Sequence, residues 1–523
     1  MRKAKKILCL LLVGIAVLLF SISHVRCEPM ETKEIRILHV NDFHGYAIGY
    51  KPLGSDKMLG GISYLAWKAD VLRNEKPTVF LAAGDMIQGN NWANIFHGKS
   101  VIDVMNKMRF DAMTVGNHEF DFGQSVLKDR ISQAIFPILG ANVKGMAGLE
   151  PYVIKEVDGI KIAVIGVVTE DTPVATHPKN MVGLQILPLV DTVQKYVGEL
   201  RKEVDIIVVL SHIGLNEDIR LAKSIEGIDV IVGGHTHTKL ATYMPVGKTA
   251  IVQAWEHGLS LGVVDLTLRD GEIVQVKSRL EEIVPGTMKK SAPVAAIVDK
   301  YRKKIDTVLG EKIGEADVDL DGKNVRLGET NLGNLATDVI RQKTGADAAL
   351  INGGSIRTSI SKGKIEVGNI YSTLPFDNYI VAVKMTGRQI RDAVEHGVAG
   401  VENKKGAFPQ ISGFSFTYSR SALKGKRVRD VMIAGNPLEP DKAYTVATQD
   451  FLAAGGDGYV SFSEAVKSSK DFSDVGGSMK GENLVYNDAG TYLRDMVVEY
   501  IKNLTKSGKK VAPSVEGRIK ELP

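Results

Sequence analysis

Five short stretches of this chain end in residues that hold metal ions or move protons. Thr114-Val115-Gly116-Asn117-His118-Glu119-Phe120-Asp121 follows an apolar approach with an amide, an imidazole and two carboxylates. Ile35-Arg36-Ile37-Leu38 leads into Asn41-Asp42-Phe43-His44-Gly45, and Val79-Phe80-Leu81 into Gly84-Asp85. Ile206 to Leu210 leads into Ser211-His212, and Val230-Ile231-Val232 into Gly233-Gly234-His235-Thr236-His237. Glycine lets a backbone turn sharply at a strand end, and polar groups gathered there can converge on a bound ion instead of being buried without partners.

Asp42, His44, Asp85, Asn117, His212, His235 and His237 offer oxygen and imidazole donors but no thiolate. That set suits Zn, Mn, Fe or Co better than a Cys-rich structural zinc. It exceeds what one tetrahedral ion takes, whereas two ions sharing a carboxylate use all of it. Paired metals clamp the attacking and leaving oxygens of a phosphoryl transfer. Histidines standing alone, such as His97 and His177, read as surface or core residues. His97-Gly98-Lys99-Ser100 ends like a phosphate-binding loop but has Ala93 where that loop needs glycine. The acidic spacing of Gly455-Gly456-Asp457-Gly458 is wrong for a calcium loop.

Gathering such residues requires strands that end on one side of a layered fold. From about Ile35 to Val284 the chain repeats strand, loop and helix: Ile62 to Leu72 and Val101 to Met108 have helical spacing, and Ile160 to Val168 reads as a strand. Ser291-Ala292-Pro293 is a helix start, and Val294, Ile297, Val298, Tyr301, Ile305 and Val308 keep helical spacing up to Gly310. We expect a catalytic domain over 33–285, a linker helix within 286–312 and a second α/β domain over 313–515. The second has strands at Ala348-Ala349-Leu350-Ile351, Val381-Ala382-Val383 and Tyr444-Thr445-Val446, and helices over 332–342 and 387–396. It lacks a comparable His/Asp collection, so chemistry falls to the first domain and recognition to the second. We see no internal repeat and no low-complexity segment.

With 523 residues, 44% of them hydrophobic, the chain can fill more than one core. Arg2, Lys3, Lys5 and Lys6 precede an apolar run from Ile7 to Phe20, the layout of a signal peptide, assigned to 1–27 with its cleavage point open. Export to the periplasm or cell surface is expected, without a membrane span in the mature chain; the alternatives are an uncleaved anchor and lipid on Cys27. Cys9 and Cys27 are the only cysteines, so the mature body forms no intrachain disulfide. The net charge of +5 equals the contribution of Arg2, Lys3, Lys5, Lys6 and Arg26, leaving 28–523 neutral and without polycation character for a nucleic acid polymer.

The strand-end blocks resemble the signature blocks of the calcineurin-like metallophosphoesterases. In the second domain, Thr330-Asn331-Leu332-Gly333-Asn334-Leu335, Asn352-Gly353-Gly354-Ser355-Ile356-Arg357, Leu374-Pro375-Phe376-Asp377-Asn378 and the block from Phe451 to Tyr459 are similar to the substrate domain of the secreted bacterial 5′-nucleotidases and UDP-sugar hydrolases. This resemblance covers essentially the whole mature chain. It implies an α/β fold in which an N-terminal four-layer α/β β-sandwich metallophosphoesterase domain is joined by a helix to a C-terminal α/β substrate-binding domain.

It further implies two divalent metal ions, Zn, Mn or Co: Asp42, His44 and His237 hold the first, Asn117, His212 and His235 the second, and Asp85 bridges. Several bacterial members carry Gln where His237 stands, so metal preference stays open. By the same resemblance His118 faces the phosphate and Asp121 orients its ring and favours its cation. Phe376 and Phe451 sandwich the base, Asp457 takes the ribose hydroxyls, and Asn352 and Asn378 reach base or sugar. Arg326 and Arg357 bind phosphate or the region beside it. Stacking accepts any base, so purine and pyrimidine are not distinguished. Some bacterial relatives have a further arginine where Gly322 stands, which leaves a preference for diphosphates in doubt. The implied reaction is hydrolysis of nucleoside 5′-monophosphates, with UDP-sugars as a second class, by two-metal in-line attack. The alternatives are a 2′,3′-cyclic nucleotide 2′-phosphodiesterase/3′-nucleotidase and a non-catalytic metal or nucleotide binding protein, against which His118 and Asp121 weigh. A thiosulfohydrolase would have no use for paired base-stacking phenylalanines. Monomer and dimer are both open.

Overall fold

Branched residues run almost unbroken through the strands Ile160–Val168, Ile206–His212 and Val230–Val232 because both faces of these strands are covered. The structure is a computed structural model that describes residues 32–51, 57–475 and 478–523. The expected signal peptide over 1–27, with Cys27 and the anchor alternative, lies outside the described residues. Among the described residues no helix is long and apolar enough to cross a membrane.

The first domain contains two six-stranded sheets. One runs Glu272–Glu282, Ser260–Arg269, Thr32–Val40, Thr78–Ala83, Ala112–Thr114, Ile138–Leu139, with the last four parallel to one another. The other runs Met244–Val246, Thr249–Val252, Val230–Val232, Ile206–His212, Ile160–Val168, Tyr152–Val157, with the middle four parallel. Successive strand side chains point to opposite faces. Ile35 and Ile37 accordingly meet Val164, Val208 and Val230 between the sheets, while Leu38 and Val40 face outward. Helices Ile62–Arg73 and Lys99–Met108 cover one outer face, and Leu189–Leu200 and Leu215–Ser224 the other. The result is the four-layer helix–sheet–sheet–helix sandwich.

The helix Ala292–Leu309 has Pro293 in its first turn, where a missing N–H is harmless. It is no free linker. Val294, Val298 and Tyr301 are buried in the outer core of the first domain, Tyr301 Oη donates to Asp103 Oδ2 at 2.6 Å, and only toward Leu309 does the helix enter the core of the second domain. Helical spacing reports an apolar stripe but not what covers it.

The second domain is built on a five-stranded sheet in the order Pro409–Ser412, Ala348–Asn352, Ala443–Gln449, Tyr379–Thr386, Leu484–Tyr492. Helices Asn331–Thr344 and Leu493–Lys506 cover one face, and Gly387–Val398 and Val460–Lys467 the other. Two helix starts are set by side-chain caps: Thr330 Oγ1 accepts from Gly333 N at 3.0 Å, and Thr386 with Gln389 forms a capping box. Past residue 515 the chain adds a last strand, Ile519–Leu522, parallel to Phe414–Ser419.

Candidate active site

Asn41 to Gly45, Gly84-Asp85, Asn117 to Asp121 and Gly233 to His237 follow parallel strands of the two sheets, and Ile206–His212 ends on His212 itself. Five of these residues are held in the left-handed region: Asp42 (φ 49°), His44 (48°), Asp85 (53°), His235 (73°) and His237 (51°). A non-glycine residue so placed costs of order 1–3 kcal/mol and persists only where its surroundings dictate it. Gly84, at φ 76°, also has no room for a side chain, since a Cβ would lie 2.6 Å from His212 Nδ1.

The turns create two adjoining groups of donor atoms, Asp42 with His44 and His237, and Asp85 with His212 and His235, each within 4.8 Å of one another. Asn117 Oδ1 lies 3.1 Å from His235 Nδ1. Asp85 Oδ2 stands between the groups, 3.1 Å from His212 Nε2 and 3.8 Å from His44 Nε2. All seven sequence-predicted ligands are therefore brought together.

Their fit to cations follows from their tautomers. His44 Nδ1 donates to Gln88 O and His212 Nδ1 to Ala83 O, both at 2.8 Å, while His237 Nδ1 lies 2.5 Å from Glu256 Oε2. A proton fixed on Nδ1 leaves a lone pair on Nε2. Yet His44 Nε2 and His237 Nε2 face each other at 3.3 Å, and buried His212 Nε2 faces Asp85 Oδ2 at 3.1 Å. Electron-rich atoms so opposed need positive charge between them. Protons show the same demand: burial lowers the pKa of His212 and His237, but Asp85 pushes the former up to about 10 and Asp42 the latter up to about 9. Burial, aided by the charge of His212, takes His235 down to about 4.

His118 and Asp121 form a separate pair, Nδ1 to Oδ2 at 2.6 Å. Thr176 Oγ1 donates to the other Asp121 oxygen at 2.7 Å, and Asn180 Nδ2 to the Asp121 carbonyl at 3.0 Å. Burial opposes charge on His118, but Asp121 and Asp85 outweigh it and raise the pKa above the ordinary 6.5. The His118 backbone N–H donates to Asp85 Oδ1 at 3.0 Å, which ties the pair to the donor cluster.

From the second domain, Arg357 Nη2 reaches 3.4 Å from His44 Nε2, and the Phe376 ring lies 5.9 Å from that of His118. Asn352 Nδ2 donates to Asp457 Oδ2 at 2.5 Å. Burial and Arg357 push Arg326 down to about 10, which leaves it cationic at neutral pH. Phe451 lies across Gly456, where a Cβ would meet its ring at 2.2 Å. Asn378 is buried and its carbonyl accepts from Leu493 N at 3.0 Å. Arg357 and Phe376 thus join the donor cluster, while no ring contact links Phe376 to Phe451 among the described residues.

Three supporting residues escaped the sequence reading. Glu119, fully enclosed, accepts from the N–H groups of Asp85 and Met86 at 2.8 Å, Ile87 at 3.2 Å and Gly116 at 2.5 Å, and so shapes two of the turns. Its place beside His118 was the signal. Asn41 Nδ2 donates to Asp42 Oδ2 at 2.7 Å, and Asn41 Oδ1 accepts from Ala254 N at 2.7 Å. Glu256 fixes His237; burial would raise its carboxyl, but His257 and His237 hold it down to about 2. No motif announced it. Carboxylates behind ligand histidines usually contribute 10- to 100-fold in metal affinity, so Glu256→Ala is expected to weaken metal retention by about that factor in a chelator competition, with an unchanged far-UV spectrum.

Comparison with known proteins agrees with this architecture. The calcineurin-like phosphoesterase family is matched over residues 35–239, and the 5′-nucleotidase C-terminal domain over 312–464. The chain is 30% identical over 545 residues to the snake venom 5′-nucleotidase of Naja atra, covering 93% of this chain and 98% of that protein. It is 34% identical over 545 residues to the trifunctional nucleotide phosphoesterase protein of Bacillus subtilis (strain 168), covering 94% of this chain but only 35% of that much longer relative. The crystal structure of the 5′-nucleotidase precursor from Thermus thermophilus superposes with a TM-score of 0.83 at 32% identity, covering 94% of this chain and 99% of that one. The chain belongs to the 5′-nucleotidase family of calcineurin-like phosphoesterases.

Proposed function

We propose that this protein is an exported 5′-nucleotidase that hydrolyses nucleoside 5′-monophosphates to nucleoside and inorganic phosphate, with two divalent cations (Zn, Mn or Co) as cofactors. One observation carries the reading: Arg357 and Phe376 of the second domain meet His44 and His118 of the first, so a guanidinium suited to phosphate and a ring suited to a base share one cleft with the donor cluster.

In this reading Asp42, His44 and His237 would hold one cation and Asn117, His212 and His235 the other, with Asp85 available to both. When bound, the pair supplies Lewis acidity to the phosphoryl group and an activated nucleophile. Arg357 and Arg326 take the phosphate oxygens through planar forks. Phe376 and Phe451 hold the base, Asp457 with Asn352 takes the sugar hydroxyls, and Asn378 supports the base side. His118, kept cationic by Asp121, donates toward the oxygen on which charge develops.

Export rests on the basic and apolar leader and on the relationship to a venom enzyme. The Bacillus subtilis relative, a trifunctional nucleotide phosphoesterase, is compatible with a second reading, a 2′,3′-cyclic nucleotide 2′-phosphodiesterase/3′-nucleotidase using the same cluster. A panel of AMP, UDP-glucose and 2′,3′-cyclic AMP separates them. We expect the highest kcat/KM on AMP; turnover of the cyclic substrate with AMP left intact would replace the first reading by the second.

A further inference from the structure

His177 reads as an unremarkable lone histidine in the sequence, but it sits where the two domains meet. It lies between the short helix Thr172–Ala175 and the 3₁₀ turn Pro178–Met181 of the first domain. Its Nδ1 accepts from Lys179 N at 3.3 Å, which puts the proton on Nε2, and Nε2 donates to Asp450 Oδ2 of the second domain at 3.2 Å. Asp450 is only 1% exposed, and its other oxygen has no hydrogen-bond partner. The next residue is Phe451, whose ring centre lies 6.3 Å from that of His177. The helix Thr172–Ala175 also packs on the turn Gly456–Gly458, which carries Asp457.

The same segment reaches the reacting end of the site. Thr176, adjacent to His177, donates to Asp121 Oδ1, and Asn180 donates to the Asp121 carbonyl. Asp121 in turn carries His118. One short stretch therefore touches the nucleoside side through His177 and the proton-bearing pair through Thr176 and Asn180. Thr176 and Asn180 are both buried, at 1% and 8% exposure, so displacement at one end is transmitted rather than absorbed by solvent.

We propose that the segment Thr172–Met181 is a strut through which an occupied nucleoside site sets the orientation of Asp121 and His118, with His177 as a positioning residue that acts only on nucleotide substrates and Thr176 as one that orients Asp121 for any phosphate ester. The inference deepens the nucleotidase reading and rests on it. A phosphate ester with no nucleoside leaves Phe451 and Asp457 unengaged and gains nothing from the His177–Asp450 contact. Coupling between two sites of a protein is commonly worth about 5- to 150-fold.

The test compares AMP with p-nitrophenyl phosphate on the full-length, Mn-loaded protein. AMP turnover by the unaltered enzyme comes first, and its absence overturns the nucleotidase reading itself. Given that turnover, His177→Ala is expected to lower kcat on AMP about tenfold and to leave p-nitrophenyl phosphate hydrolysis unchanged. Asp450→Asn approaches the same contact from the other domain and should give the same selective loss, which guards against a folding defect in either variant. Adding Thr176→Val to His177→Ala should cause no further loss that is specific to AMP. Equal losses on both substrates, a rise in KM alone, or unchanged AMP turnover in both variants would overturn the strut.

Discussion

His118→Ala is expected to lower kcat by about 10²- to 10⁴-fold, the range typical of a positioned proton donor, with metal content unchanged. The ring is not among the paired donor groups, yet it lies 5.4 Å from the ring of His44 and 5.9 Å from that of Phe376. It therefore faces the cleft proposed to receive the phosphate ester. Its pH signature is equally specific. Burial would lower its pKa, but Asp121 and Asp85 raise it above 6.5, and the protonated form is the one proposed to work. Activity should decline as pH rises through the raised value. Asp121→Asn removes the largest raising influence and should move that decline toward acid. Near-normal turnover in His118→Ala, with both cations bound by elemental analysis, would strike the residue from the mechanism.

Stripping the cations should abolish turnover, and restoring Mn, Zn or Co singly should recover it to different extents, at two ions per chain. The basis is the pair of opposed ring nitrogens at 3.3 Å and the carboxylate set between the two donor groups. Recovery of the full rate at one ion per chain would refute the paired-cation proposal. Stability offers a second readout. In the stripped protein, protons on His212 and His237 stand in for the missing charge, with pKa values pushed up to about 10 and about 9 from an unfolded value near 6.5. A group whose folded pKa is raised stabilises fully below its unfolded pKa and loses that contribution as pH climbs through the folded one. The melting temperature of the stripped protein should therefore fall between about pH 6.5 and 10, and added cation should flatten that fall.

How much of this was legible depended on whether the information was local. The ligand blocks could be read because each follows an apolar strand, so a continuous apolar run gives way abruptly to Asp, Asn or His at a turn. The helix over 292–309 could be read from Pro293 and an apolar stripe, although its burial against Trp92 and Asp103 could not. Glu256 could not be assigned, because its role is one hydrogen bond to a ring on another turn. Arg357 and His44 are 313 residues apart and meet only through the placement of two domains. Thr176 and His177 carry no periodic signal at all, since their partners Asp121 and Asp450 lie far away along the chain on both sides.

The left-handed turns at Asp42, His44, Asp85, His235 and His237 set function against durability. Each of these positions would be more comfortable as glycine, which adopts that conformation freely, and each is occupied instead by a side chain the chemistry requires. A glycine at His44 would ease the turn but empty a buried position and strip the Gln88 carbonyl of its donor, so the substitution that relieves the backbone offers no route to a more heat-resistant protein.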